Sequence, residues 1–470
     1  MREAGVLLHI TCLPGAYGSG TIGAPALRFA QWLADCGFSL WQVLPVTPVG
    51  KGNSPYSSPS AFAGNLFLID PEVLVDMGLL SADELPAWQC DSPYAVDFDF
   101  LHRTRVPLLH KVFAKADNAA LEQAENFRLH EAFWIDDYAR YQIKAEGKTL
   151  DFWVFAQWLF DAQWQAFKSA ANKMGVRLLG DMPIYVAAES ADFAANPELF
   201  LKDADGLPSP VAGVPPDYFA PRGQLWGNPL YDWETHRTQK FAWWKARAAR
   251  ILAQFDRVRI DHFRAFSRYY AMPRSAEEAV YGLWHNGPGM ELLSPLLNEF
   301  GEERWLAEDL GEIDDTVRAL LTKSGLPGMR VLQFAFGGGS NNLHLPHNYP
   351  INVAAYTGTH DNNTLLGYIW SADDDERNRA LAYLDVHGDW GRGGADAPVV
   401  RAALRTLWQS PAQTCFAPLQ DLLGYGADTR MNIPGAAEGN WGFRVTKEQL
   451  AAANTAWLRG LNERYGRVIG

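Results

Sequence analysis

Paired cysteines, long apolar runs and an excess of basic charge are all missing from this chain of 470 residues. Its four cysteines, Cys12, Cys36, Cys90 and Cys415, are scattered, with no close pair at metal-ligand spacing. Cys36 falls on one helical stripe with Phe29, Trp32 and Leu33 and reads as a core residue. No uncharged apolar span is long enough for a transmembrane helix. Residues 1–10 are too short an apolar start for a signal peptide, and no small-residue cleavage site follows. The expectation is a reduced, cytoplasmic protein. Net charge is −13, which argues against nucleic acid or an anionic membrane as partner, since either calls for a basic face. A neutral or cationic small substrate is compatible with that charge, as is an acidity that serves only solubility. No His-x-His pair marks catalytic zinc, and no Gly-x-Ser-x-Gly elbow marks a serine triad.

Tryptophan, by contrast, is abundant, with 18 residues. Several, among them Trp226, Trp233, Trp284 and Trp441, sit in polar stretches rather than apolar runs. Indoles among Asn, Asp and Gln suit a ligand with apolar faces and polar rims, such as a sugar ring. The competing reading is that they pin long loops.

Eight short apolar runs read as strands: 6–10, 40–44, 176–180, 257–260, 304–307, 329–334, 353–356 and 414–419. Helix-length segments alternate with them, 24–36 and 152–174 being the clearest, and Gly175 stands at the expected stop of the second. The alternation implies a parallel sheet, and eight strands suggest closure into a (β/α)8 barrel, an α/β fold, over residues 1–470. About 130 residues separate strands two and three, far more than one helix needs. Residues 71–147 are helix-rich and charged, so an inserted subdomain of approximately 71–150 is expected. A second excursion, approximately 182–256, contains the Pro- and Gly-rich stretch 211–219, read as an ordered loop that could serve as a lid. Residues 388–398 read as an exposed connector.

Four of the runs end in an acid: Asp181, Asp261, Glu308 and Asp361. Carboxylates at the carboxyl ends of buried strands are what a barrel enzyme needs for acid, base and nucleophile chemistry. One such acid would simply cap the next helix; four, with aromatic and basic company, indicate an active site. Side chains alternate along a strand, so Arg259 and Asp261 point together toward the barrel axis while Val258 and Ile260 face the helices. Arg259 is expected to lower the pKa of Asp261, which suits an anionic nucleophile; a structural Arg–Asp pair is the alternative. Glu308 shares its face with Leu306, and apolar company raises a carboxyl pKa, which suits an acid. Asp309 is expected to point outward and cap a helix. Asp361, between His360 and Asn362, could grip adjacent sugar hydroxyls. Asp181 is less specific, binding substrate or bracing its neighbours. His262 and His360 could be sugar-binding donors or second-layer residues.

Seven stretches carry a resemblance to a known family. They are Ser54-Pro55-Tyr56-Ser57-Ser58-Pro59-Ser60-Ala61-Phe62-Ala63-Gly64-Asn65, Gly180-Asp181-Met182-Pro183-Ile184-Tyr185-Val186, Gly223-Gln224-Leu225-Trp226-Gly227-Asn228-Pro229, Arg259-Ile260-Asp261-His262-Phe263-Arg264, Ala307-Glu308-Asp309-Leu310-Gly311, Thr357-Gly358-Thr359-His360-Asp361-Asn362 and Arg430-Met431-Asn432-Ile433-Pro434-Gly435. In order and over nearly the whole chain, they resemble the 4-α-glucanotransferases known as amylomaltase or disproportionating enzyme, in the α-amylase clan. The resemblance implies Asp261 as nucleophile, Glu308 as general acid/base and Asp361 as transition-state stabiliser. It implies substrate contacts from Tyr56, Asp181, Gln224, Trp226, Arg259, His360 and Asn432, with no metal and no cofactor. The chain departs from the family pattern at Ala265, at Trp441-Gly442-Phe443-Arg444 and at Ala220-Pro221-Arg222, positions that bear on acceptor preference and lid behaviour. The implied reaction cleaves an α-1,4-glucan (maltooligosaccharide, starch or glycogen fragment) with retention. It then passes the glycosyl segment to the 4-hydroxyl of glucose or a maltooligosaccharide, in a monomer or homodimer. The alternatives are an α-1,4-glucan hydrolase on the same scaffold, or a non-catalytic glucan-binding protein.

Overall fold

The chain is described by a computed structural model covering residues 2–216 and 222–468. Twelve strands are present among the described residues: β1 (Glu3–Leu7), β2 (Leu40–Gln42), β3 (Arg177–Met182), β4 (Val211–Val214), β5 (Gln224–Pro229), β6 (Arg257–Ile260), β7 (Arg268–Met272), β8 (Leu283–Asn286), β9 (Trp305–Ala307), β10 (Gly328–Val331), β11 (Val353–Tyr356) and β12 (Thr414–Pro418). Eight of them form one parallel sheet in the order β10-β11-β12-β1-β2-β3-β6-β9. At the seam between β9 and β10, the Ala307 N–H donates to the Pro327 carbonyl at 2.9 Å. The (β/α)8 barrel expected from the apolar runs is therefore the observed fold, and each run overlaps one of its strands.

Several boundaries differ from the hydrophobic pattern, two of them for a clear physical reason. The first strand begins at Glu3 rather than residue 6, because Glu3 is neutralised at the amino-terminal end of the barrel by Arg177 and by Arg257, whose Nη1 lies 2.6 Å from it. An apolar-run criterion cannot admit a charged residue whose partners come from two other strands. The sixth run ends as a strand at Val331, and Leu332–Phe334 coil into a 3-10 turn.

Strand parity sorts the side chains into two cores. Leu40, Leu179, Leu306, Met329, Ala354, Tyr356 and Phe416 fill the lumen, with the Tyr356 and Phe416 rings stacked at 4.9 Å. Leu178, Val258, Ile260, Trp305 and Ala355 belong instead to the outer core shared with the helices. The helix Leu150–Lys173 is the longest of that layer. Thr149 caps it by accepting the Phe152 N–H at 3.2 Å, and Gly175 (φ +82°) turns the chain into β3. Residues between β2 and that helix carry Pro71–Asp76, Phe98–Phe113, Asn118–His130 and Ile135–Glu146, all helical.

The excursion between β3 and β6 is not simply loop. Val211–Val214 is strand β4, part of an antiparallel sheet ordered β5-β4-β7-β8 that stands beside the barrel mouth. Gly213 and the prolines that follow masked the strand in sequence, since its pairing partners lie both before and after β6 in the chain. Residues 217–219 of the expected lid, and the departures at 220 and 221, lie outside the described residues.

Gly64 makes a close approach that no larger residue could. A Cβ there would overlap the Phe160 ring, while its N–H and carbonyl bond the Gln157 side chain at 2.7 and 3.0 Å. Gly64→Ala is expected to destabilise the fold by about 1–3 kcal/mol through overpacking. Thermal unfolding followed by circular dichroism checks this; a midpoint equal to wild type would refute the close approach.

Candidate active site

β3 and β6 run side by side with Asp181 opposite Arg259. From that register the Arg259 guanidinium reaches two carboxylates: Nη1 donates to Asp181 Oδ2 at 2.6 Å and Nη2 to Asp261 Oδ1 at 2.8 Å. The Tyr56 hydroxyl donates to the same Asp181 oxygen at 2.7 Å. Asp181 is 1% exposed and lies behind Tyr56 and Arg259, outside the lining of the cleft. The structure thus gives it the bracing role weighed from sequence rather than a place on the substrate surface.

Immediately after Asp261 the backbone turns left-handed at His262 (φ +51°), a conformation a non-glycine residue adopts only when its surroundings impose it. This turn aims the His262 N–H at Glu308 Oε2 (2.8 Å), and the Leu310 N–H donates to Oε1 (2.7 Å). Both Glu308 oxygens are therefore anchored by backbone. Asp361, half-exposed above them, accepts from Asn432 Nδ2 at 2.6 Å and has His360 Nε2 at 3.3 Å from its other oxygen. Arg430 donates to the Asp361 carbonyl at 2.6 Å; nothing in the spacing of the chain announced that bond.

These groups floor a cleft of about 1010 Å³. Tyr56, Gln224, Trp226, Arg259, Asp261, Glu308, His360, Asp361 and Asn432, all expected from sequence, line it together. Trp226 presents an exposed indole and crosses the His262 ring edge-to-face at 4.8 Å. Tyr56 stacks on His360 at 5.1 Å, with Trp441 beyond it. Of the four tryptophans singled out in polar stretches, two belong to the cleft. Trp233 is buried among Tyr231, His236 and Trp244, and Trp284 lies beneath the Arg264 guanidinium at 3.9 Å; both pin structure. Tyr185 and Phe334 also line the cleft and were not read as site residues. Phe334 closed an expected strand, and only its turn aims it at the opening.

Asp309 points away from the lumen as expected but caps no helix. It is buried, accepts the Met329 N–H at 2.5 Å and pairs with Arg330 at 3.1 Å, bracing β10. The helix that follows is capped by Asp314 instead. Glycines 18, 20 and 23 have the spacing of a dinucleotide-binding loop, but protein fills their hollow: a Cβ at Gly20 would overlap the Ile10 carbonyl, and one at Gly23 the Asp70 carboxylate.

Burial raises the pKa of Glu308, with Arg259 and the two N–H bonds working against it. Asp261 also rises, contrary to the lowering expected from its neighbour. Burial is the largest cause; Arg259 opposes it, but the negative charges of Asp181, Glu308 and Asp361 add to it. Sequence proximity revealed only the arginine; folding brought the other three acids. Arg259, despite a burial that disfavours charge, is held cationic by Asp181 and Asp261. Burial takes His262 down to about 3 and lowers His360, so both imidazoles are neutral near pH 7.

A family profile for 4-alpha-glucanotransferase matches residues 8–150 and 142–450. The 4-alpha-glucanotransferase of Thermus thermophilus is 41% identical over 503 aligned positions, covering 99% of each chain. The chain belongs to the 4-alpha-glucanotransferase family. The chloroplastic and amyloplastic enzyme DPE1 of Arabidopsis thaliana is 38% identical, covering 99% of this chain and 86% of that one. An amylomaltase from Streptococcus agalactiae, solved with acarbose, superposes with a TM-score of 0.94 at 34% identity over the full length of both chains. The amylomaltase of Corynebacterium glutamicum shares the fold (TM-score 0.84, 18% identity, 98% and 75% covered). The enzyme is accordingly a glucanotransferase that acts by transglycosylation; plain hydrolysis on the same scaffold is disfavoured. Among the described residues, no helix is long and apolar enough to cross a membrane.

Lysine cannot bridge Asp181 and Asp261 with two parallel donors. Arg259→Lys is expected to lower kcat about a hundredfold, the order for losing an aligned charge in a preorganised site. Steady-state kinetics with maltotriose would show it, and a near-normal kcat would mean the bridge is dispensable.

Proposed function

We propose that Asp261 is the nucleophile, Glu308 the general acid/base and Asp361 the stabiliser of a retaining transfer between α-1,4-glucans. The observation that carries this reading is the unequal treatment of two neighbouring carboxyls. The Arg259 guanidinium bonds Asp261 and makes no bond to Glu308, so a proton shared by the pair resides on Glu308 and the negative charge on Asp261. Glu308 then protonates the leaving glycosidic oxygen while Asp261 Oδ attacks the anomeric carbon, giving a glycosyl ester. The departed segment leaves the cleft, and Glu308, now a carboxylate, takes the proton from an incoming 4-hydroxyl as that oxygen displaces Asp261. Asp361, held by Asn432, faces the sugar ring, where hydrogen bonds to hydroxyls strengthen as positive charge develops.

Cleft volume and aromatic walls support an oligomeric donor. About 1010 Å³ is at the upper limit of what a drug-sized ligand fills, and the exposed indole of Trp226 offers a flat face for a sugar ring. Donors are α-1,4-glucan segments, and the acceptor is glucose or a maltooligosaccharide that excludes water from the ester. Four free cysteines, three of them buried, suit a reducing cytoplasm.

Pure maltotriose is the deciding substrate. Glucose together with longer oligomers is expected; glucose and maltose without longer products would defeat the transfer reading. Asp261→Asn should abolish turnover while maltooligosaccharide binding stays measurable by calorimetry; a mutant with near-normal rates would remove Asp261 from its role. The pH profile follows from the raised pair. Glu308 must carry its proton, so activity falls as pH rises through its elevated pKa. Asp261 must be ionised, so activity falls again as pH drops through its own. The bell belongs to the pair jointly, centred above the ordinary carboxylate range; an acid limb near the ordinary aspartate value would contradict it.

A further inference from the structure

Adjoining the active-site cleft lies a second, smaller cavity of about 30 Å³, between the end of β3, the loop after β2 and one face of the helix Ala242–Gln254. Arg247, Ile251 and Gln254 contribute that face, their spacing of four and three residues placing them in one helical row. Three of the residues lining this space carry a buried polar atom with no protein partner: Asp181 Oδ1, Arg247 Nε and Gln254 Nε2. All three side chains are at least nine-tenths buried, at 1%, 3% and 4% exposure. One is an acceptor and two are donors. Asp181 and Arg247 are held by their other atoms: Asp181 Oδ2 accepts from Tyr56 and Arg259, and Arg247 Nη1 donates to the Ile184 carbonyl at 3.0 Å.

We propose that this space is a built water site, and that Arg247 and Gln254 act through it as positioning residues for the nucleophile. A space needs about 10–15 Å³ and two to four polar partners to hold a water, so this one takes one or two. A water here donates to Asp181 Oδ1 and accepts from Gln254 Nε2 and Arg247 Nε, which completes the bonding of all three. Leaving a carboxylate oxygen buried and unbonded would cost far more than ordering one water. Asp181 in turn fixes Arg259, and Arg259 fixes Asp261, so the helix Ala242–Gln254 reaches the reacting carboxylate without touching substrate. The inference rests on Asp261 being the nucleophile.

A high-resolution crystal structure of the wild-type enzyme tests the site directly. Water density within hydrogen-bonding distance of Asp181 Oδ1 and Gln254 Nε2 is expected; a dry space, or one closed by side-chain collapse, overturns the proposal whether or not any variant folds. Gln254→Met keeps the volume and removes the donor. It should lower kcat about five- to tenfold, near the worth of one buried hydrogen bond, with KM for maltotriose unchanged. Gln254→Asn, which retains an amide donor, should recover most of the loss. Ordered water with a wild-type kcat in Gln254→Met would end the positioning role and leave the reading of Asp261 untouched. Inactivity of wild type, or a normal rate in Asp261→Asn, would mark failure of that reading instead.

Discussion

One guanidinium holds the site together. Arg259 is buried inside the barrel, and a cation there is tolerated because Asp181 and Asp261 meet it from two strands. The constraint is reciprocal. Asp181 is a fully buried acid that needs the arginine, and Asp261 faces the cleft in the one orientation the arginine permits. Register does the rest, since Asp181 and Arg259 are direct partners across β3 and β6. A slip of β6 by one residue would turn Arg259 and Asp261 into the outer helix layer and leave Asp181 unpaired.

The second acid is controlled by backbone rather than by charge. The left-handed turn at His262 and the start of the loop after β9 supply two N–H groups to Glu308. The cost of that turn is met by what surrounds it: His262 is wedged against Trp226 and Tyr185, and the Phe263 N–H donates to the Glu308 carbonyl at 3.1 Å. Two carboxyls in one desolvated floor therefore differ in kind. One is paired to a cation and the other is tied to dipoles, the asymmetry on which the proposed roles of attacking group and proton carrier rest.

Around this floor the walls come from segments far apart in the chain. Tyr56 follows β2, Trp226 rides on the antiparallel sheet, and Asn432 and Trp441 arrive after β12. Arg444, part of a departure from the family pattern, is buried and donates to the carbonyls of Leu13 and Gly15 at 3.0 and 2.9 Å. It anchors the C-terminal segment beside the mouth, so the unusual spacing around Trp441 still ends in a fixed wall.

Alternation and apolar runs were enough to read eight strands, the inward face of β6 and the acids at the strand ends, because those depend on local period and on which residues tolerate burial. Charged Glu3 in β1, strand β4, the brace from Asp309 to β10 and the loop bond from Arg430 escaped, since each is stabilised by partners distant in sequence. The rise of the Asp261 pKa belongs with them: its adjacent arginine was legible, but three converging carboxylates were not. By itself the sequence determined the barrel, the identity of the acids and the glucan chemistry their neighbours imply. Only the tertiary structure decided which carboxyl is paired, which is tied to backbone and which is merely a brace, because electrostatics in a desolvated floor is set by distances between strands and not by positions along the chain.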